Sequence, residues 1–575
     1  MLEYDLVIRN GFIVDGGGAP GYEADVAITG GCIAKIGRVH ASGAEEIDAK
    51  GMIVTPGFVD IHTHYDGQAT WSNVIDPSSC HGVTTAVMGN CGVGFAPVRE
   101  QDHDNLIRLM EGVEDIPFPV LADGLPWAWE SFPDYLDFLE TRKFDIDIGA
   151  QLPHAALRVY VMGQRGVDRE PATEDEIALM SALAEQAVRA GALGFSTSRT
   201  LNHRASDGQP TPTLTASEAE LMGIAEGVMR ANAGVLQFVS DFAGGWQEVD
   251  MLKRLVARSG RPLSVSLTQT PAKPDAWRKL LSYIEDASEE GLPMRAQVCG
   301  RPVGVLLGLE LTAHPFVAHP TYRAIKDLPL PERVAALRRP EVRERLLSEV
   351  ALTRSQLIGE LQQKYDQMYV LSEPLDYEPT PDRSVASMAY RRGIPPEEMA
   401  LDIMLENEGK GMLYLTFLNY AGASLDPSYE MLSSSATLPG LSDGGAHVGM
   451  ICDGSFPTSM LIHWTRDRTR GPRLTLEEIV RKQSHDTAHW VGLRDRGLLK
   501  QGYRADINVI DYDHLTLHLP EVRYDLPSGG RRLHQAASGY RATIVAGKIT
   551  GREDKSTGAR AGRLVRGERR SPVLP

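Results

Sequence analysis

Two histidines one residue apart, His62 and His64, end the stretch Gly57-Phe58-Val59-Asp60-Ile61-His62-Thr63-His64, just after the apolar run Met52-Ile53-Val54. In an extended strand residues i and i+2 point to one face, so the pair can present two imidazoles to one metal ion. Cys91, in Val87-Met88-Gly89-Asn90-Cys91-Gly92, and Asp443, in Ser442-Asp443-Gly444-Gly445-Ala446-His447, add a thiolate and a carboxylate. Imidazole, thiolate and carboxylate together suit zinc, a borderline-soft ion. Such an ion would keep Cys91 deprotonated and bring the pKa of water toward neutrality. Asp443 could then accept a proton from water and return it to a leaving amine.

Strands must position these groups. The first fifty residues read as β-structure: a strand over Tyr4 to Gly11 ending in an Asn10-Gly11 turn, then Phe12 to Gly16 and Ala24 to Ile28. The C-terminal part returns to this style at Ala505 to Ile510 and Ala542 to Lys548. These two ends predict a small composite β-sandwich domain built from both termini, 1–56 and 491–575. Between them strands alternate with helices. Gly82 to Met88, Val235 to Val239 and Leu263 to Leu267 read as strands, and Ser217 to Ala231 as a helix with Thr215 as N-cap. Repeated strand–helix units predict a parallel sheet, closed at this length into a (β/α)8 TIM barrel over 57–490. A charged, Pro-containing stretch at about 311–400 breaks the rhythm and predicts a helical insertion. The basic, Gly-rich tail after Gly551 predicts a wrapping or poorly ordered arm. Barrel active sites lie at the C-terminal ends of strands, where His62, His64, Cys91 and Asp443 all fall.

Bulk properties narrow the function. The chain has 575 residues, 42% apolar and 23% charged, with no apolar run long enough for a bilayer span. A formal charge of −17 argues against nucleic-acid and anionic-membrane partners. Five scattered cysteines and an N-terminus without a basic-then-apolar leader predict a reducing cytoplasm. A small-molecule partner fits this composition, and a homo-oligomer is compatible with it.

Pro56 to His64 resembles the metal-binding signature of the amidohydrolase superfamily. Gly89 to Pro97, Gly191 to Thr197 and Ser442-Asp443-Gly444 are similar to the D-aminoacylase (N-acyl-D-amino-acid deacylase) branch. Gly497 to Asp506 resembles the segment by which such proteins re-enter their small β-domain. The resemblance implies hydrolysis of a linear amide by metal-activated water. It places His62, His64, a bridging Cys91 and Asp443 around zinc, with Asp443 as acid and base. It also implies histidines at the ends of the fifth and sixth strands. Here those strands read Leu236 to Asp241 and Leu263 to Gln269, with Leu267 and Ser240-Asp241 where histidines are expected. One zinc ion, rather than two, is therefore predicted. Gln269 replaces a basic residue expected to receive the substrate carboxylate; Arg301 is a candidate substitute. His154 and His447 are further candidates for substrate contact, and His203 lies on a predicted lid loop. Two rival readings are a cyclic-amide hydrolase of the hydantoinase or dihydroorotase kind and a non-catalytic scaffold of the same fold. The first lacks a candidate bridging lysine. Retention of His62, His64 and Asp443 speaks against the second.

Overall fold

Eight short strands form the frame of the site. They are Phe58–Asp60, Val83–Met88, Asp147–Ala150 (resuming as Leu152–Pro153), Gly194–Arg199, Val235–Ser240, Leu263–Ser266, Met294–Val298 and Thr437–Pro439. They belong to a computed structural model that describes residues 2–242, 244–351, 359 and 364–573. Each strand pairs in parallel with the next. The ring closes between the eighth and first strands, where Thr63 bridges Gly444 and Asp443 N–H donates to the His62 carbonyl at 3.2 Å. The same backbone that carries the candidate ligands thus completes the barrel. All six residues of the second strand are buried, as expected for a strand between a packed interior and a helical layer.

The helices cover the outside. Glu174–Ala190 starts with a capping box between Thr173 and Glu176 and ends at Gly191. Glu218–Ala231 is capped by Ser217, whose hydroxyl accepts from Glu220 N–H, rather than by Thr215, which donates to the Arg169 carbonyl at 3.1 Å.

Both termini enter one nine-stranded mixed sheet. Ile53–Pro56 lies between Leu2–Ile13 and Ile507–Ile510. The run Met52-Ile53-Val54 therefore belongs to this sheet, not to the strand that presents the histidines. The chain passes from one to the other at Gly57, where a Cβ would lie 2.1 Å from Thr84 Oγ1. Asn10-Gly11 is a bulge inside one long strand instead of a turn between two. Asn10 adopts φ 58° while its N–H bonds Asp25 and its side chain bonds Asp48.

The seventh-to-eighth connection carries the insertion. Besides the helices Leu330–Leu337, Pro340–Ser348, Val385–Arg392 and Pro396–Met404, it holds a three-stranded antiparallel sheet of Val303–Leu307, Leu413–Leu418 and Met368–Val370. Leu307, Leu337, Met399 and Leu413 centre a core of its own. From the C-terminal part, the hairpin Glu521–Leu526 and Gly530–His534 reaches the barrel mouth, where Leu533 N–H donates to the Val448 carbonyl at 2.6 Å. The tail wraps the barrel, with Gly562 bridging Phe144 and Leu564 bridging Ile148. Among the described residues no helix is long and apolar enough to cross a membrane.

Candidate metal centre

His62 and His64 follow the first strand, both buried, and their Nε2 atoms lie 3.4 and 3.5 Å from Asp443 Oδ1. Cys91 Sγ is 3.3 Å from His62 Nε2, and His62, His64 and Cys91 hold their donor atoms within 4.8 Å of one another. Zinc bonds of about 2.0–2.3 Å in a tetrahedron give donor–donor edges of roughly 3.3–3.6 Å. The three contacts just named have that length. Asp443 Oδ1 and both ring nitrogens of His64 are buried without hydrogen-bond partners among the described residues. A convergent set of imidazole, thiolate and carboxylate donors with unsatisfied lone pairs fits a divalent metal ion.

Neighbouring groups aim the candidate ligands. His62 Nδ1 lies 2.6 Å from Gln297 Oε1, so it carries the proton and leaves Nε2 free to ligate. Gln297 is itself held by donating to Ser264 Oγ at 3.0 Å. Cys91 sits in a turn with Gly89, Cys91 and Gly92 at φ 81°, 54° and 70°. A Cβ at Gly89 would lie 2.3 Å from the Gln151 carbonyl, and one at Gly92 would lie 2.9 Å from Thr197 Cα. Asp443 is likewise left-handed, at φ 48°, in a loop that also turns at Leu441, Gly445 and His447. Strained non-glycine residues at both loops mark positions where side-chain placement overrides backbone preference.

The electrostatics separate the roles. Burial pushes the Asp443 carboxyl up, but its electrostatic interaction with the adjacent His64, His62 and His447 rings outweighs it and holds the group below the usual range. Burial, reinforced by Glu114 and Asp443, pushes the Cys91 thiol well up, so a thiolate here requires a cation. Burial lowers His62 and His64, favouring the neutral imidazoles that ligate metals.

Glu114 was not among the sequence candidates. It ends the helix His103–Glu114, is 1% exposed, and points Oε1 at His64 Nδ1 and Oε2 at His447 Nε2, each at 3.4 Å. The signal was present: Glu114 stands four residues after Met110 and seven after Ile107, on the apolar stripe of its helix.

The remaining candidates separate. His447 joins the cluster through Glu114, its pKa brought down to about 4 by burial. His203 lies beside it, with Nδ1 2.8 Å from Ser198 Oγ. His154 stands apart, both ring nitrogens occupied by Thr197 Oγ1 at 2.7 Å and Glu220 Oε1 at 2.9 Å. Arg301 is buried against the Tyr377 ring and bonded to Asp453 at 3.1 Å and the Cys452 carbonyl at 3.2 Å. Gln269 is engaged by Pro274 and Ala421. Asp241 caps Thr200 and Leu201. Strand alternation puts Ser266 on the inner face with Ser264 and turns Leu267 toward the helices. On the fifth strand the inward residue beside Cys91 is Gln237, whose Oε1 accepts Cys91 N–H at 3.2 Å.

A D-aminoacylase of Alcaligenes xylosoxydans xylosoxydans is 27% identical over 575 residues, covering 98% of this chain and 97% of that protein. A D-aminoacylase crystal structure superposes with a TM-score of 0.62 at 22% identity, over 98% of this chain and 100% of that one. An N-acyl-D-glutamate deacylase from Bordetella bronchiseptica, complexed with zinc and a phosphonate inhibitor, gives a TM-score of 0.65 at 22% identity, over 98% and 99%. The model of the amidohydrolase family matches residues 45–550, taking in the barrel, the insertion and part of the small sheet. With that match spanning most of its length, the chain belongs to the amidohydrolase family.

Proposed function

We propose that the protein hydrolyses a linear N-acyl amide, an N-acyl amino acid or a related compound, using one zinc ion held by His62, His64, Cys91 and Asp443. The observation that carries this reading is the convergence of His62 Nε2 and His64 Nε2 on Asp443 Oδ1, with Cys91 Sγ beside His62. When bound, the ion supplies Lewis acidity and lowers the pKa of water. Asp443, a carboxylate at neutral pH, accepts the proton of the attacking water and delivers it to the leaving nitrogen. Gln297 and Glu114 keep the imidazoles aimed. The D-aminoacylase and the N-acyl-D-glutamate deacylase among the similar proteins support an N-acyl amino acid as the substrate class. The fifth- and sixth-strand positions offer Gln237 and Ser266 in place of imidazoles, which supports a single ion. Gln269 is committed to protein partners and Arg301 pairs through Nη2 with Asp453, leaving His447 as the substrate contact nearest the ligands. Free cysteines throughout support a reducing, cytoplasmic setting.

Elemental analysis of purified protein, combined with a panel of N-acyl-D-amino acids and hydantoins, tests the reading. The expected result is about one zinc per chain, lost in the His62→Ala, His64→Ala double variant, and turnover of linear amides only. Metal-free protein with undiminished turnover, or preferential opening of hydantoins, would overturn it.

A further inference from the structure

Gln237 lies on the fifth barrel strand and is 1% exposed. Its Oε1 accepts the N–H of Cys91 at 3.2 Å. A backbone N–H can only donate, so this contact fixes the amide: oxygen toward the Cys91 turn, and the NH2 group as the free prong. Nε2 is buried and has no hydrogen-bond partner among the described residues. On the neighbouring strand Ser266 shares the inner face with Ser264, and its Oγ is also buried and without a partner. Buried polar groups are costly to leave unmade, so two orphaned donors on one wall beside a metal ligand call for an oxygen-bearing occupant.

We propose that Gln237 Nε2 donates a hydrogen bond to the carbonyl oxygen of the scissile amide, strengthened as that oxygen becomes an oxyanion, with Ser266 Oγ as a second donor. The assignment rests on the linear-amide reading above. In the step, the water oxygen bonds to the carbonyl carbon and the C–N bond breaks. Asp443 carries one water proton to the leaving nitrogen, while Gln237 neither gains nor loses a proton. A neutral, preoriented amide donor is suited to this work because it needs no reorganisation as charge develops. The arrangement puts protein donors on the strands where relatives are expected to carry imidazole ligands.

Gln237→Glu keeps an acceptor for Cys91 N–H and removes the donor. Gln237→Met removes both without adding charge. For each variant three quantities are measured: metal per chain, the calorimetric affinity of a methylphosphonamidate analogue of the best linear substrate, and kcat and KM. The expected result is unchanged metal content, analogue binding weakened about 100-fold, and kcat lowered about 10²–10³-fold with KM within about 3-fold. Metal lost from Gln237→Met but kept by Gln237→Glu, with the Gln237→Glu analogue affinity within about 3-fold of wild type, would overturn the proposal, because Gln237 would then serve only the Cys91 turn. Retained metal with analogue affinity within about 3-fold of wild type would also overturn it. Wild-type protein that neither cleaves linear amides nor binds the analogue overturns the amide-hydrolase reading as well. Wild-type binding that the variants share overturns the Gln237 assignment alone.

Discussion

Glu114 shows how one buried carboxylate organises neighbouring imidazoles. With Oε1 facing His64 Nδ1 and Oε2 facing His447 Nε2, each at 3.4 Å, it stands between two rings at once. Glu114→Gln should retain the fold and weaken metal binding by about 10–100-fold, as loss of an outer carboxylate does elsewhere, measured by competition with a chromogenic chelator. Unchanged affinity would mean that Glu114 merely fills space. Asp443→Asn should lower kcat by about 10²–10⁴-fold, since an amide cannot take the proton. Single-turnover rates of metal-replete variant protein would check this. At this scale His62, His64, Cys91 and Asp443 were legible as candidates that the fold brings together, because short motifs carry them. Gln237 and Gln297 were not, because a glutamine inside an apolar strand has no local signature. Only the closed ring shows which ligand each one touches. Arg301 illustrates the converse. A lone basic residue after a strand suggested a carboxylate receptor, but the structure pairs it with Asp453 from a distant loop.

The turn after the second strand turns backbone conformation into side-chain placement. Gly89→Ala would set a Cβ 2.3 Å from the Gln151 carbonyl at a position with φ 81°. A left-handed non-glycine residue costs about 1–3 kcal/mol before the clash is counted, so urea unfolding should show at least that loss, with metal affinity reduced in parallel. A second test lies at the other end of the barrel. Buried Arg496 bonds Asp147 of the third strand at 2.7 Å and Thr85 of the second at 2.9 Å, with Asp506 beside it at 3.8 Å. Arg496→Met leaves Asp147 and Asp506 to share Arg504 and should destabilise by up to about 3–5 kcal/mol in the same assay. The parallel strands were readable from apolar runs with helical stretches between them. The Asn10 bulge and the Ser217 cap were not, because each is decided by a partner outside its own segment, Asp25 and Asp48 in one case and Arg169 in the other.

Across the molecule, buried neutral histidines contribute to the loss of stability in acid. His81 lies between Thr458 Oγ1 and the Gln535 carbonyl, and burial brings its pKa to about 3; His314, buried against Tyr322, is also brought to about 3. Both folded values lie below the unfolded 6.5, so the unfolded chain binds more protons between the two. Their contribution is therefore full above pH 6.5 and is lost as pH falls from about 6.5 toward 3. A melting temperature that declines over this window, with a smaller decline in His81→Gln, is the expected outcome of scanning calorimetry across pH. The barrel and the pairing of both termini were foreseeable in outline. The extent of the insertion, with its own sheet, was not, because its strands are short and far apart in sequence. The placement of Ile53–Pro56 between Leu2–Ile13 and Ile507–Ile510 also bears on how the chain is made. During translation the N-terminal strands emerge with one edge of Ile53–Pro56 unpaired, and the strand that covers it leaves the ribosome only after the whole barrel. An open edge held that long invites pairing between nascent chains. Polysomes carrying incomplete copies are therefore where a chaperone would be needed most.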